Sequence, residues 1–170
     1  MSKVEVTREY PHPIERVWFA ITDAKAIGEW LMQTDFEPTV GHEFTLRTEP
    51  GPGFDGIVHC KVLRVEAPHL LEYSWRGGPL DTVIRFELTA TAHGTRLQVV
   101  HSGFRGLGAQ LVRVILKLGS RTIYRKKLPQ LLDRLAGTDD APLESPEACK
   151  RGLWRFVAWF FSPILKRRSS

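Results

Sequence analysis

The fold is decided by residues 70–104, which read LLEYSWRGGPLDTVIRFELTATAHGTRLQVVHSGF. Apolar and polar residues alternate in the segments "LLEYSWR", "TVIRFELTAT" and "TRLQVVHSGF", and a period of two is typical of β-strands with one buried face. The connections "GGPLD" and "AHG" are too short to hold a crossover helix. The stretch therefore predicts three neighbouring antiparallel strands that bury the same face.

The sequence before this stretch predicts the rest of the sheet and two short helices. "KVEVTREY" alternates as a first strand, and "EFTLRTE" and "GIVHCKVLRVE" add two more. Between them, Pro13 is suited to the first turn of an amphipathic helix, and Asp23 to the N-cap of a second helix that ends near Trp30. A bulge within residues 56–66 would invert part of the alternation of that strand.

The sequence after residue 104 changes to a helical period. Residues 107–135 predict one long helix, which Pro129 kinks or restarts. Its apolar positions are Leu111, Val114, Ile115, Leu118, Leu128, Leu131, Leu132 and Leu135. The predicted fold class is α+β: a curved antiparallel sheet of about six to seven strands wrapped around a long C-terminal helix, with two short helices after strand one.

Composition and motifs exclude several classes of function. The six histidines lack metal-ligand spacing, and neither a phosphate-binding loop nor a nucleophile elbow occurs, so no metal or other cofactor is predicted. No signal peptide or membrane-spanning run is visible, which favours the cytoplasm. Residues 105–134 carry eight Lys/Arg and one acidic residue, with a cationic stripe at Arg113, Lys117, Arg121 and Arg125. A solvated helix face explains this stripe; nucleic-acid binding lacks a recognised motif, and an anionic membrane is the functional alternative.

Several segments together resemble the START-like (SRPBCC, helix-grip) superfamily, and within it the branch resembling the C-terminal domain of the Hsp90 ATPase activator. The resemblance is carried by "PIERVWFAITDAKAIGEW", "GIVHCKVLRVEAPHLLEYSW" and "GTRLQVVHSGF", and it covers about residues 3–136. It implies a helix-grip fold with an apolar cavity between the sheet and the long helix. Members of this superfamily include lipid carriers, polyketide cyclases, stress proteins and chaperone activators.

Strand alternation predicts which side chains face that cavity. Tyr73 and Trp75 share one face of their strand, and continuing the phase of the last strand places His101 on the same face. The predicted ligand-binding residues are Trp30, Phe44, Val58, Tyr73, Trp75, Phe86, Val99, His101 and Leu111. The alternative interpretation is that these side chains only fill the core.

Catalysis would need a titratable group within hydrogen-bond reach of the substrate. His101 and His59 are the candidates, although no inward carboxylate is evident to orient either ring. Enzymatic activity is therefore disfavoured.

The C-terminus predicts two further segments after the domain of residues 1–136. Residues 137–148 form an acidic linker, and residues 149–168 an aromatic, basic amphipathic helix too short to span a bilayer. Its membrane-binding or docking residues are Leu153, Trp154, Phe156, Val157, Trp159, Phe160, Phe161, Ile164, Lys166, Arg167 and Arg168. Association with an anionic membrane, docking on this or another protein, and a disordered or artefactual tail all stay open.

Three functional hypotheses follow. The first is a protein that binds or transports a hydrophobic small molecule or lipid in the cavity, peripheral at the inner face of a membrane through its tail. The second is a chaperone-activator-like adaptor, with a protein partner or self-association through the tail. The third is a polyketide cyclase-like enzyme that acts in the same cavity.

Overall fold

A computed structural model describes residues 2–51 and 53–137, and it has the predicted α+β architecture. The strands are β1 (Lys3–Tyr10), β2 (Gln33–Thr34), β3 (Glu43–Arg47), β4 (Ile57–Glu66), β5 (Leu70–Gly77), β6 (Leu80–Thr91) and β7 (Gly94–Ser102). The helices are α1 (Ile14–Thr22), α2 (Ala24–Trp30), α3 (Gly106–Thr122) and α4 (Leu128–Gly137), with a π-helical segment (Ile123–Lys127) between the last two. The strands form one antiparallel sheet in the order β1-β7-β6-β5-β4-β3-β2, which confirms the helix-grip fold class.

The two short helices pack against each other and against α4. Asp23 caps α2 as predicted, because its carboxylate accepts a hydrogen bond from the Ala26 amide at 2.9 Å. Trp30, at the end of α2, is almost fully buried, and its indole N–H donates to the Ala20 carbonyl of α1 at 2.8 Å. This bond fixes the two helices to each other and directs the indole ring into the core.

The inner face of the sheet follows the predicted alternation. The pairing of β4 with β5 shifts between Val62 and Arg64, so this strand contains a bulge. Ahead of the bulge, Val58, Cys60 and Val62 are buried, whereas His59 between them is exposed. The bulge thus leaves the first half of β4 in phase with the aromatic residues of β5.

The long helix, residues 106–137, widens into π geometry just before its proline. The Leu128 amide donates to the Ile123 carbonyl five residues earlier. The matching donor for the Tyr124 carbonyl would be residue 129, but Pro129 has no N–H. Instead the hydroxyl of Tyr10, on β1, donates to that carbonyl at 2.7 Å. The proline therefore restarts the helix as α4, and β1 satisfies the carbonyl that the proline leaves free.

The π-helical segment also corrects one predicted site residue. Each residue rotates an α-helix by about 100°, and a π turn holds about one residue more. In an uninterrupted α-helix Leu128 and Leu132 would lie about 100° and 60° around the axis from Leu111, but the extra residue rotates α4 by about 100° relative to α3 and places both leucines about 160° away, on the opposite side. As a result Leu128 and Leu132 are fully buried, while Leu111 is 44% exposed. The prediction that Leu111 faces the interior is therefore wrong.

The predicted acidic linker, beyond Gly137, and the predicted terminal helix at 149–168 lie outside the described residues. Among the helices of residues 2–137, none combines the length and the apolar character needed to cross a bilayer.

Candidate functional site

The interior between the sheet and the long helix is the candidate site. Strand register places Tyr73, Ile84 and His101 in one row across β5, β6 and β7, and Trp75 beside Thr82 in the next row. All five side chains are buried on the inner face. The predicted set is brought together here except for Leu111; its buried members are Trp30, Phe44, Val58, Tyr73, Trp75, Phe86, Val99 and His101. That these residues bind a ligand stays a prediction.

Aromatic rings contact one another along the inner face. The Phe44 ring lies edge-on to Tyr73 with centroids 5.2 Å apart, and Tyr73 stacks on Phe86 at 5.8 Å. Phe36, from the segment between β2 and β3, packs edge-on against Phe44 at 4.9 Å and extends the series. Such offset and edge-to-face pairs stabilise an apolar surface that an apolar ligand could contact through dispersion.

Two tyrosine hydroxyls in this apolar interior have no hydrogen-bond partner among the described residues. Tyr73 and Tyr124 are each 5% exposed, and Tyr124 also contacts the Trp30 ring, with centroids 5.8 Å apart. Burial raises the pKa of both phenols well above its ordinary value, so each hydroxyl keeps its proton. Neither oxygen belongs to the fully enclosed unpaired polar atoms, which are Arg8 Nε, Thr34 Oγ1 and Arg85 Nε in the described chain. Each hydroxyl therefore faces space that a water-sized group can reach, and it can donate to a ligand there.

His101 is held by a short chain of hydrogen bonds. The Thr82 hydroxyl lies 3.1 Å from the Trp75 carbonyl and 2.7 Å from His101 Nε2. A hydroxyl has one proton, so both contacts are satisfied together when Thr82 donates to the carbonyl and Nε2–H donates to Thr82. Burial lowers the pKa of His101 to about 4, which makes the ring neutral at pH 7. In this tautomer Nδ1 is the acceptor that remains for a ligand.

His59 lies on the opposite, outer face of the sheet, in a row with Thr45 and Arg76. It lines a groove of about 420 Å³. The remaining residues of this outer groove are Asp35, Glu43, Phe44, Thr45, Cys60, Lys61, Leu63, Ser74 and Arg76. Because a strand exposes alternate residues, the expectation that His59 could act in the interior is wrong.

The outer groove has mixed charge. Lys61 Nζ lies 3.3 Å from Glu43 Oε1, and the Asp35 carboxylate accepts from the backbone amide and the hydroxyl of Thr45. The bond from the Thr45 amide lowers the pKa of Asp35. These carboxylates are engaged by neighbours, so the groove offers no concentrated charge to a ligand.

The titratable and polar groups of the described interior are few. Cys60 is the described free thiol, and burial raises its pKa to about 12, which keeps it protonated and poorly nucleophilic. Within residues 2–51 and 53–137 no cluster of three His, Cys, Asp or Glu side chains could hold a metal ion. The polar groups available to a ligand are thus two hydroxyl donors and one imidazole nitrogen.

Three residues of the site were not predicted from the sequence. Thr82 has a recoverable signal, because it lies two residues before Ile84 on the same strand face. Tyr124 faces inward only because of the π-helical segment, and Phe36 lies in an irregular stretch without periodicity. Pro129, which lies five residues after Tyr124, is the one local sign of the altered helix phase.

Comparison with known proteins gives consistent matches to this region. Residues 11–133 match the family described as Activator of Hsp90 ATPase homolog 1-like protein. A crystal structure of a protein from Mesorhizobium loti is 37% identical, with a TM-score of 0.72 over 78% of this chain and 98% of that one.

Two further solved structures share the fold. DynU16, from the dynemicin biosynthetic locus, is 25% identical with a TM-score of 0.65, over 78% of this chain and 48% of its own. CalU16 from Micromonospora echinospora is 21% identical with a TM-score of 0.63, over 79% of this chain and 78% of its own. The sequence has no significant match among curated proteins.

Proposed function

The chain belongs to the Activator of Hsp90 ATPase homolog 1-like family, and we propose that it binds an apolar small molecule or lipid with a hydrogen-bond acceptor. The ligand occupies the interior between the sheet and the long helix. Its apolar part contacts the rings of Phe44, Phe86 and Trp75, and its acceptor receives hydrogen bonds from Tyr73 and Tyr124. A carbonyl, ester or ether oxygen fits these two donors.

One observation carries the proposal: two buried tyrosine hydroxyls without a partner among the described residues. Buried polar groups are nearly always hydrogen-bonded, because an unmet donor costs about 1–3 kcal/mol. Phenylalanine at positions 73 and 124 would fill the same volume without that cost. The presence of both hydroxyls is explained if they donate to an acceptor on a ligand, or to the water that the ligand displaces.

The test combines ligand identification with matched variants. Native mass spectrometry of the purified chain should detect a bound apolar molecule that organic extraction releases. Nile red, an apolar fluorophore with a carbonyl oxygen, then serves as a probe of the interior. The Tyr73→Phe/Tyr124→Phe variant should keep the stability of the parent and bind the probe about tenfold more weakly, as expected for the loss of one to two hydrogen bonds.

Tyr10→Phe is the matched control, because its hydroxyl bonds to a protein carbonyl. It should lose stability and keep the affinity for the probe. The proposal is wrong if the purified chain is free of ligand and the double variant binds the probe as tightly as the parent does.

We also propose that the predicted terminal segment attaches the protein to a membrane. Residues 149–168 combine aromatic and cationic side chains, which suits attachment to an anionic membrane surface on the cytoplasmic side. Trp154→Ser/Phe160→Ser in the full chain should reduce sedimentation with vesicles that contain phosphatidylserine. Unchanged sedimentation, with altered elution in size-exclusion chromatography, would favour docking on protein.

The enzyme alternative depends on His101. A neutral imidazole with Nδ1 free can accept a proton from a bound substrate, but its pKa of about 4 makes it a weak base at pH 7. DynU16 comes from a biosynthetic locus, but this describes DynU16 alone and assigns no reaction to the present chain. Binding without reaction is therefore the function that the interior supports best.

A further inference from the structure

Helix α3 is apolar on two opposite sides. Its buried side packs on the body through Ala109, with Val112 and Leu116 half-buried beside it. Its other side exposes four large side chains at spacings of four, three and four residues. This apolar stripe consists of Leu107, Leu111, Val114 and Leu118, which are 92%, 44%, 49% and 61% exposed. A helix that only covers its own core needs one apolar side, so the stripe has no role within the described domain.

Cations run along one border of the apolar stripe. Lys117 and Arg121 are exposed, and Arg113, half-buried, bonds to the neighbouring Gln110 side chain. At about 100° per residue, Arg121, Lys117 and Arg113 lie about 50°, 90° and 130° from the middle of the stripe, all on the same side. Residues 105–122 contain four Lys/Arg and no acidic residue. The stripe therefore lies in a positive local field, which favours an anionic partner.

We propose that this side of α3 binds the surface of an anionic lipid bilayer. The apolar stripe inserts below the headgroups, and the bordering cations contact phosphate and carboxylate groups. Charge also argues against the nearest alternative occupant, the terminal segment. Residues 150–168 carry six Lys/Arg and no acidic residue, so they would be repelled from the cationic border, whereas an anionic bilayer attracts both.

The proposed surface adjoins the interior but does not depend on it. Gln110 of α3 donates to the Phe104 carbonyl at 3.0 Å, and the Phe104 ring contacts His101, with centroids 4.9 Å apart. A bilayer against α3 would thus lie one helix diameter from the inner aromatic face. The surface goes beyond the proposed ligand binding and the tail, since it is built on different residues.

Vesicle sedimentation of the full chain tests the proposal. The vesicles contain phosphatidylcholine alone or an equimolar mixture with phosphatidylserine. The parent should bind the mixed vesicles, and the bound fraction should fall as salt screens the charges. Leu111→Gln/Leu118→Gln should weaken this binding about tenfold or more, because two inserted side chains are lost. Lys117→Gln/Arg121→Gln should weaken it about fivefold per cation on mixed vesicles only.

The chain offers matched controls at other exposed positions. Val40→Gln/Leu63→Gln makes the same chemical change at side chains that are 61% and 41% exposed. Lys25→Gln/Lys61→Gln removes two cations away from α3. Both control variants should bind within about twofold of the parent, and all variants should keep its circular dichroism.

Three results would overturn the proposal. The first is that the parent does not sediment with mixed vesicles at any salt concentration tested. Leu111→Gln/Leu118→Gln could bind as the parent does, which would assign all lipid binding to the terminal segment. Alternatively, that variant could lose binding together with a change from dimer to monomer, which would make the stripe a contact between two copies.

Discussion

The two halves of the long helix have almost the same apolar content, but α4 is packed against the body whereas α3 is largely exposed. In α4, Leu128, Leu131 and Leu132 are at most 1% exposed, whereas in α3, all of whose side chains are described, only Ala109 is buried. The π-helical segment between them sets this difference, because it rotates one half relative to the other. The amphipathic pattern of a helix therefore locates its buried side only while the helix phase is continuous.

The largest expected effect is on the buried half. Leu132→Ala should lower the free energy of unfolding by about 2–5 kcal/mol, because a fully buried leucine leaves a cavity. Leu118→Ala makes the same change at a 61% exposed position and should stay within about 0.5 kcal/mol of the parent. Urea unfolding at equilibrium measures both values. Equal losses for the two variants would mean that α3 is as tightly packed as α4.

A pH titration asks whether the α3 half keeps water away from the interior. Burial lowers the pKa of His101 to about 4 from 6.5, so between these values the unfolded chain binds a proton that the folded chain does not. The contribution to stability is complete above about pH 6.5 and is lost as the pH falls to about 4. Over this pH range the free energy of unfolding should fall by about 3 kcal/mol.

His101→Leu should therefore flatten the fall in stability between pH 6.5 and 4, measured by urea unfolding at each pH. His59→Gln, on the exposed outer face, is the control and should keep the slope of the parent. If His101→Leu keeps that slope as well, the imidazole is hydrated and α3 does not close the interior.

The junction of the two halves can be tested through the Tyr124 carbonyl. Tyr10→Phe removes the donor at 2.7 Å and should cost about 1–3 kcal/mol, since a buried acceptor is left unmet. Pro129→Ala supplies an amide at position 129, and in that background the cost of Tyr10→Phe should shrink. A double-mutant cycle measures this coupling, and strictly additive losses would contradict it.

The smallest expected difference is in local opening. Amide hydrogen exchange within α3, for example at Val114 and Ile115, should be at least about tenfold faster than at Leu131 and Leu132 in α4. Few buried contacts hold α3, and segments with few buried contacts open at low free energy. Equal protection of both helices would remove the distinction between the two halves.

The sequence alone predicted the inner face of the sheet correctly, but it did not predict the buried side of the long helix. Alternation alone placed Tyr73, Trp75 and His101 on the inner face, because the side of a strand residue depends only on its neighbours in register. It could not reveal that Tyr10 completes the Tyr124 carbonyl, a contact between residues 114 positions apart.

The errors have equally local causes. Leu111 was misplaced because one added residue at the π turn changes every later position. His59 was a candidate although alternation with the inward-facing Val58 already places it on the outer face. Thr82 could have been predicted from the alternation that places Ile84 inward, whereas Phe36 lies in an irregular segment that has no sequence period.

The π turn also determines where this chain tolerates a change in length. A π turn contains about one residue more than an α turn of the same height, so deleting one residue within 123–127 would restore α geometry and leave both flanking helices facing as they do now. A one-residue deletion inside α4 would instead turn Leu131 and Leu132 away from the core. Relatives that lack a proline at the position of Pro129 are therefore expected to have a helix one residue shorter, and the gap in their alignment should fall on the π turn.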